Sequence, residues 1–346
     1  MRRIRQQQPP HGEHHSVVII GAGMAGLAAA HTMLDNGISP LVLEAESQPG
    51  GRCVTVAHDG GVFDLGAQFF TVRDAAFRQF LENRLDAGQA REWTRGFPDI
   101  SGVSELASHP RYCGVAGMGA LAASLARDIQ IRFNSRVKGI VEGRACWFLT
   151  VDNSERIKAD MVLMTSPLPS ALRLISDENT WRMGALLLPL TGVSYAPRLA
   201  VAAVLDGPSG LPAPGAARVD DGAVSWIADN KIKGISPDAF AVTIHATRAF
   251  AENHGDMPAD AAGNLLAEAA AAFLESGITS ALSRRWEHGA PESILQRDYY
   301  LVEGRAPLYF AGDAFSRGQI EGAVLSGIAA ANAITTRLSA TSATAE

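Results

Sequence analysis

The chain has 346 residues, of which 47% are hydrophobic and 19% are charged, and this balance excludes a disordered or low-complexity protein. Its formal net charge of −6 argues against nucleic acid as the main partner, because binding phosphates requires a basic face. The length indicates two domains at roughly 150 residues each. No stretch reaches about 18 uninterrupted apolar residues, so we expect no membrane partner and no membrane span.

The cysteines indicate the compartment in which the protein is stable. The chain has three, Cys53, Cys113 and Cys146, and they are unclustered. They predict neither a disulfide framework nor a metal site, and we expect no bound metal. A reducing compartment, the cytoplasm, is therefore the expected location.

The first elements along the chain predict a βαβ unit. Residues 1–15 are polar and interrupted by prolines, so we expect a disordered N-terminal tail. Residues 17–20 are a branched apolar run typical of a buried parallel strand. Residues 23–36 favour a helix that ends at Asn36-Gly37, and residues 41–43 predict a second strand that ends at Glu44.

The remainder of the chain predicts alternating helices and short strands, with no internal repeat. We expect further helices at about 74–86, 119–128, 259–275 and 322–338. We expect short strands over 130–165 and again from about 190 to 250, including 199–205, 224–227 and 241–245, and a last strand at 308–311.

The segment that joins the first strand to the first helix carries a dinucleotide-binding pattern. Gly21 permits a tight turn, Gly23 lets the backbone approach a pyrophosphate, and Gly26 lets the helix pack closely on the strand. The helix N-terminus then presents N–H groups to the anion. Glu44, at the end of the second strand, can accept both ribose hydroxyls. NAD and FAD both fit this pattern.

Two further motifs are consistent with a long ligand. Gly50-Gly51-Arg52 can wrap the far side of a pyrophosphate, and the less favoured alternative is an ordinary turn with a solvated arginine. Near the other end, the strand at 308–311 runs into Gly312-Asp313, and Glu321-Gly322-Ala323 opens a helix. Asp313 can accept hydrogen bonds from ribityl hydroxyls or simply cap a helix, and the helix N-terminus can stabilise a reduced flavin ring.

Together these motifs resemble the flavin amine oxidase superfamily, the flavoproteins with two dinucleotide-binding domains, and within it the bacterial renalase-like oxidases. The resemblance covers about residues 16–335. It is carried by residues 63–71 (FDLGAQFFT), Arg73-Asp74, Glu92-Trp93-Thr94, Gly117-Met118, residues 226–231 (WIADNK), His245-Ala246-Thr247, Arg285-Trp286, Gly312-Asp313, Glu321-Gly322-Ala323 and Leu325-Ser326-Gly327.

The resemblance implies an α/β fold with a Rossmann-like FAD domain and a second, mixed-sheet substrate domain. We expect the FAD-binding domain to be discontinuous over 16–65, 115–170 and 300–338, and the substrate domain to take 66–114 and 171–299. FAD is expected to bind without a covalent link. The implied cofactor-binding residues are Gly21, Gly23, Met24, Ala25, Gly26, Glu44, Ala45, Gly51, Arg52, Gly66, Ala67, Gln68, Val137, Gly312, Asp313, Gly322 and Ala323.

The resemblance also implies a reaction. Renalase-like enzymes oxidise the misreduced 2- and 6-dihydro isomers of NAD(P)H and pass the electrons to O2, giving NAD(P)+ and H2O2. A dihydropyridine already is a hydride donor, so the protein has to stack it and exclude water. The implied catalytic residues are His245, Gln68, Phe70 and Trp286. Further candidates for the cavity are Phe69, Thr247, Tyr299 and Tyr300, with Arg73 and Asn230 as possible polar contacts.

Two other functions stay open. An amine or natural-product tailoring oxidase would place a lysine near the flavin, for which only Lys231 and Lys233 are candidates, since Lys138 and Lys158 fall among the strands of 130–165. A non-catalytic dinucleotide sensor would keep the glycine pattern alone. The chain also departs from the renalase pattern at residues 287–291, which lack an arginine, and at Gly234, where a proline is expected. The substrate class therefore stays open between a dihydronicotinamide dinucleotide and an amine.

Overall fold

The structure is a computed structural model that describes residues 13–102 and 109–343. The helices of the described chain are α1 (Met24–Asp35), α2 (Ala75–Asp86), α3 (Met118–Leu125), α4 (Leu168–Arg173), α5 (Asp177–Thr191), α6 (Arg248–Asn253), α7 (Ala259–Ala270) and α8 (Gln319–Ala343). The strands are β1 (Glu13–Ile20), β2 (Leu41–Leu43), β3 (Thr55–His58), β4 (Gly61–Asp64), β5 (Ala90–Thr94), β6 (Arg111–Gly114), β7 (Ile131–Arg132), β8 (Val137–Glu142), β9 (Trp147–Val151), β10 (Arg156–Met164), β11 (Tyr195–Leu205), β12 (Ala216–Asp221), β13 (Val224–Asp229), β14 (Ala241–Ala246), β15 (Ile278–Pro291), β16 (Tyr300–Glu303) and β17 (Pro307–Phe310).

The larger of the two main sheets has eight strands, drawn from both ends of the chain. Its main path runs β16-β17-β10-β1-β2-β7, and β8 and β9 extend it beside β10. The strands from β17 to β7 are parallel, and β1 lies between β10 and β2. The apolar run at residues 17–20 is buried on both faces, as a central parallel strand requires. The carboxyl ends of these strands meet at one edge, where a ligand of such a sheet binds.

The second main sheet is separate and antiparallel, and its five strands lie in the order β12-β13-β14-β11-β15. Helix α7 covers one face of this sheet, where Ala262 and Leu266 pack among residues of β11 and β14. The hairpin β3–β4 packs against the sheet through Phe63, which shares a cluster with Ala200 and Ala202. The hairpin therefore joins the two sheets, and the segment that follows it lies between them.

These observations confirm the predicted α/β fold with a Rossmann-like part and a second sheet. One expectation at the N-terminus is wrong for residues 13–15. These residues continue β1, because Glu13 pairs in register with Ile157 and the His14 ring bonds Asp160 at 2.7 Å. Residues 1–12 lie outside the described chain. Among the described residues, each helix is too short or too polar to cross a bilayer.

The predicted domain boundaries stay a prediction, but the packing of one segment bears on them. Phe77 and Leu81 of α2 lie in the same core cluster as residues of α1 and α8. The segment 66–114, which we assigned to the substrate domain, therefore contributes side chains to the core beside the large sheet.

Candidate functional site

The turn between β1 and α1 leaves a helix N-terminus open. Gly21 has a φ of +108°, a conformation that favours glycine, and a Cβ on Gly26 would overlap the Gly21 carbonyl oxygen. Gly23 is the N-cap of α1, and no side chain caps this end. A Cβ built on Gly23 would meet no protein atom within 4 Å. The first N–H groups of α1, those of Met24 and Ala25 included, therefore face an open cradle suited to an anion.

Glu44 stands beside this turn at the end of β2. It is 7% exposed, and its carboxylate accepts hydrogen bonds from the backbone N–H groups of Ala22 at 2.6 Å and Glu46 at 2.9 Å. These bonds fix the carboxylate next to the glycine turn, where a ribose would lie. The backbone N–H of Ser135 donates to the Glu44 carbonyl at 2.8 Å, and the predicted residue Val137 is buried in the core beside β2.

Arg52 and Asp313 join two motifs that lie 261 residues apart in the chain. The backbone N–H of Gly50 donates to the Ala22 carbonyl at 2.8 Å and holds the turn containing Gly51 against α1. The Arg52 guanidinium then donates to both Asp313 oxygens, at 2.6 and 2.9 Å. Burial alone would lower the pKa of Arg52, but the Asp313 carboxylate outweighs it and raises that pKa. The ion pair brings the two ends of the chain together next to the glycine turn, and we call the space between this pair and the N-terminus of α1 the cleft.

Helix α8 begins on the other side of this cleft. The backbone N–H of Gly312 donates to the Ser326 hydroxyl at 3.0 Å, which ties the end of β17 to the helix. A Cβ on Gly327 would overlap the Ala25 carbonyl oxygen, so α1 and α8 touch through this glycine. The predicted residues Gly322 and Ala323 lie near the N-terminal end of α8, and both are buried.

The segment from Asp64 to Gln68 is held between the two sheets by side chains of the second sheet. The His245 Nε2 bonds the Leu65 carbonyl at 2.9 Å, and the Lys233 Nζ donates to the Gln68 carbonyl at 2.7 Å. The Thr243 hydroxyl donates to the Asp64 carbonyl at 3.1 Å. The Gln68 Nε2 donates to the same carbonyl, and among the described residues its Oε1 is buried without a partner. An acceptor in this position can receive a hydrogen bond from a bound ring N–H.

His245 holds this segment as a neutral imidazole. Because a carbonyl can only accept, the Nε2 bonded to Leu65 carries the hydrogen. Burial lowers the pKa of His245 to about 4, although its bond to the Leu65 carbonyl acts in the opposite direction. The structure thus gives His245 a positioning contact, and the predicted catalytic role of this residue stays a prediction.

Lys233 is one of the two lysines that the sequence offered for a position near the flavin, and its place in the structure distinguishes it from Lys231. Its side chain is 0% exposed, its Nζ lies 2.6 Å from an Asp64 oxygen, and it stands 4.6 Å from the centre of the Trp93 ring. Lys231, in contrast, donates to the Pro237 carbonyl at the surface. The scarcity of lysines was the signal available in the sequence, but no motif distinguished these two.

Aromatic side chains cluster beside the segment that carries Gln68. Phe69 lies 5.0 Å from Phe97 and 6.1 Å from Trp226, measured between ring centres, and Trp93 packs on Phe97 at 4.9 Å. Phe70 is buried instead in the core beside Phe77 and Tyr112, away from this cluster. This placement argues against Phe70 as a substrate contact.

The other predicted residues are dispersed. Trp286 packs in the cluster of Val54 and Leu65, with the Arg284 guanidinium 5.2 Å from its ring centre. Thr247 caps α6, the Tyr300 hydroxyl donates to the Leu186 carbonyl, and the Tyr299 ring lies tilted at 6.1 Å from the Tyr309 ring, measured between ring centres. Asn230 is buried on Thr243, whereas Arg73 is exposed.

The two departures from the expected pattern have structural counterparts. Gly234 has a φ of +87°, which proline cannot adopt. In the stretch 287–291, Arg173 from α4 reaches the His288 ring at 2.9 Å and places a cation there from another element.

Cys53 is buried, and burial raises the pKa of its thiol to about 12, as expected of a residue that only fills space in the core.

Two family models match separate parts of the chain. The NAD(P)-binding Rossmann-like domain matches residues 19–83, and the flavin-containing amine oxidoreductase family matches residues 90–185 and 267–335. The first covers the glycine turn and Glu44, and the second includes Asp313 and the start of α8. The matches therefore fall on both sides of the cleft.

Curated relatives match the chain over a short region only. Lysine-specific histone demethylase 1 homolog 2 of Arabidopsis thaliana is 53% identical over 67 residues, which is 18% of this chain and 9% of the relative. Mitochondrial protoporphyrinogen oxidase of Nicotiana tabacum is 41% identical over 61 residues, 18% of this chain and 12% of the relative. Flavin-containing amine oxidase of Danio rerio is 50% identical over 56 residues, 16% of this chain and 11% of the relative. The matched regions span about a tenth of the length of these curated relatives.

Solved structures resemble the fold over almost its whole length. Wild-type putrescine oxidase bound to putrescine superimposes with a TM-score of 0.67 at 14% identity, covering 95% of this chain and 100% of the other. A putative protoporphyrinogen oxidase from Exiguobacterium sp. 255-15 gives a TM-score of 0.67 at 13% identity, covering 94% of this chain and 99% of the other. At these identities the likeness shows the fold.

FAD is the cofactor that these findings imply, and the cleft fits it. The open cradle at Gly23 suits the pyrophosphate, and the fixed Glu44 carboxylate suits the adenosine ribose. Arg52 and Asp313 offer a donor and an acceptor further along, and the unpartnered Gln68 Oε1 can face the flavin ring. No cysteine follows Cys146 in the sequence, so β17 and α8 carry no thiol that could form a thioether with the ring.

Proposed function

Because the family of flavin-containing amine oxidoreductases matches residues 90–185 and 267–335, we propose that the chain is an FAD-dependent oxidase of this superfamily whose substrates are misreduced dihydronicotinamides. The donor would be a 2- or 6-dihydro isomer of NAD(P)H. Overall, one dihydronicotinamide, one O2 and one proton give one NAD(P)+ and one H2O2. The bound FAD supplies the chemistry by accepting the hydride and passing both electrons to oxygen.

The observation that carries this proposal is the absence of a free base on the described segment around Gln68. His245 is neutral above a pH of about 4, and its Nε2–H is committed to the Leu65 carbonyl. The Lys233 Nζ is committed to Asp64 and to the Gln68 carbonyl. A dihydropyridine needs no deprotonation before it gives up hydride, so a site without a base suits it.

The residues of the site would then act by positioning. Three side chains of the second sheet region bond carbonyl groups of the segment that includes Gln68, namely His245, Lys233 and Thr243. These bonds fix the position of that segment. Phe69 and Trp226 would supply an apolar wall that excludes water and stacks on a flat ring. Such orientation and desolvation are what a hydride transfer requires from the protein.

Oxidation of an amine is the second candidate, and the aromatic cluster is the observation that favours it. Tryptophan and phenylalanine rings attract cations at close range, as the Lys233 Nζ already does at Trp93. Against it, the only fully buried lysine of the described chain is taken up by an ion pair and a carbonyl. The two candidates therefore predict different substrates for the same cleft.

Anaerobic reduction of the purified yellow protein distinguishes them. The protein is mixed without oxygen with 2-dihydro-NAD, 6-dihydro-NAD, ordinary 4-dihydro-NADH or a panel of amines that includes putrescine, and the loss of flavin absorbance is followed. We expect rapid bleaching by the 2- or 6-dihydro isomer, and one H2O2 per NAD+ when air is admitted. Faster bleaching by an amine, or bleaching by 4-dihydro-NADH alone, would overturn the proposal.

A further inference from the structure

The Phe69 ring is close to two side chains with buried hydrogen-bond donors that have no acceptor among the described residues. The Arg111 guanidinium carbon stands 5.5 Å from the Phe69 ring centre, and the Arg111 Nε is buried without a partner. The Trp226 ring centre lies 6.1 Å from that of Phe69, and the Trp226 Nε1 is also buried without a partner. Because unsatisfied buried donors are costly, two of them around one ring indicate that an acceptor belongs there.

Two more arginines surround this point. Arg218 is the cross-strand neighbour of Trp226 in the β12–β13 ladder, and Asp99 faces Arg218 across an isolated bridge. Arg73 follows the segment of Phe69. Burial lowers the pKa of Arg111, and the charges of Arg73 and Arg218 lower it further, so the three cations act on one another.

The described carboxylates leave much of this charge uncompensated. No aspartate or glutamate of the described chain forms an ion pair with Arg73 or Arg111. Glu321 approaches this region, but its Oε1 accepts from the backbone N–H groups of Arg73 and Asp74. Three cations therefore lie near Phe69 and Trp226, although the net charge of the protein is −6.

We propose that Arg73, Arg111 and Arg218, with Phe69 and the Trp226 Nε1, form a phosphate-binding subsite for the substrate. The inference rests on the function proposed above and assigns residues to the pyrophosphate of its dinucleotide substrate, a group that the uncharged dihydronicotinamide riboside lacks. Planar guanidinium groups bind phosphate oxygens through charge-assisted hydrogen bonds, and an aromatic ring beside them accepts a flat base or ribose edge. The same three charges repel a protonated amine.

The first experiment measures binding to the oxidised FAD-loaded protein by calorimetry, so it is independent of turnover. The probes are inorganic pyrophosphate, NAD+ and nicotinamide riboside. Replacing Arg111 by Gln removes one charge-assisted contact, which weakens pyrophosphate and NAD+ by about 10- to 100-fold. Arg218→Gln, at an exposed side chain, provides a second variant whose folding is not in question. Arg78→Gln, at an exposed position of α2, is the matched control and leaves these affinities unchanged.

The second experiment uses anaerobic flavin reduction to compare a dihydronicotinamide dinucleotide with the corresponding riboside. We expect the ratio of their dissociation constants, which favours the dinucleotide in the natural protein, to fall about 10- to 100-fold in Arg111→Gln. Equal affinities of the natural protein and both variants for pyrophosphate would overturn the subsite. If pyrophosphate binding depends on Arg111 but no dihydronicotinamide bleaches the flavin, the subsite stands and the proposed function fails. If dinucleotide and riboside bleach the flavin with the same affinity, the function stands and the subsite fails.

Discussion

Replacing Lys233 by Met tests the claim that a buried ion pair holds the segment around Gln68. The substitution keeps the length of the side chain but removes an Nζ that lies 2.6 Å from Asp64 and 2.7 Å from the Gln68 carbonyl. Both side chains of the pair are 0% exposed, so water cannot replace the lost partner. The Asp64 carboxylate keeps only the Thr55 hydroxyl at 2.6 Å and the Met118 N–H at 2.7 Å.

Removing one partner of such a pair leaves an uncompensated buried charge, which costs about 3–5 kcal/mol of the free energy of unfolding. Lys231→Met, two residues earlier, is the matched control because its Nζ donates to a carbonyl at the surface. There the cost stays below about 0.5 kcal/mol. The comparison separates the effect of the ion pair from the general effect of losing a lysine.

Urea unfolding followed by circular dichroism measures both variants, and Asp64→Asn and the double variant complete the cycle. The double variant should be less destabilised than the sum of the single variants by about 2–3 kcal/mol, since the two groups stabilise each other. FAD content measured by absorbance reports whether the segment has moved. Single-variant effects of under 1 kcal/mol that simply add would refute the reasoning.

Three further predictions follow from individual contacts. Gly23→Ala should leave the melting temperature of the apoprotein unchanged, because the added Cβ meets no protein atom. The same substitution should abolish FAD binding in a fluorescence titration. Retained binding would show that the cradle is not the pyrophosphate site. Because the pKa of His245 falls from its ordinary 6.5 to about 4 on folding, the unfolded chain binds the extra proton between these values. The contribution of His245 to the free energy of unfolding should therefore fall by about 2–3 kcal/mol as the pH falls from 6.5 to 4, and His245→Gln should make the pH dependence of that free energy shallower over this range in urea titrations. Gly327→Ala should lower the free energy of unfolding by about 1–3 kcal/mol, because the added Cβ pushes α8 away from the Ala25 carbonyl. Gly184→Ala, where space is open within α5, should raise it by about 0.5–1 kcal/mol in the same measurement. Equal effects of the two substitutions would contradict the packing argument.

The aromatic cluster shows the limit of single-residue prediction. Phe69 and Phe70 are chemically identical neighbours, and strand geometry sends adjacent side chains to opposite faces. Only the bridge between Phe70 and Tyr112 decides that Phe70 enters the core while Phe69 faces Arg111 and Trp226. The resemblance named Phe70, and the backbone pairing favours its neighbour.

Secondary structure was missed where local patterns were weak. Helix α5 (Asp177–Thr191) was not predicted, because it contains Pro189 and carries Trp181, 88% exposed, on a face that does not repeat as a buried stripe. The long strand β15 was also missed, because most of its side chains are half-buried and its polar and apolar residues do not alternate along the strand. Its identity as a strand comes from its pairing with β11.

The local sequence determined the β1–α1–β2 unit, its glycine turn and the place of Glu44, because these contacts form between residues close in the chain and follow from backbone sterics and helix capping. The tertiary structure alone decided that Arg52 meets Asp313, that Lys233 meets Asp64, and that Arg111 lies on Phe69. Each of these pairs joins segments that only the order of the strands brings together. No periodicity or spacing along a chain carries that information, since it depends on how the two sheets pack.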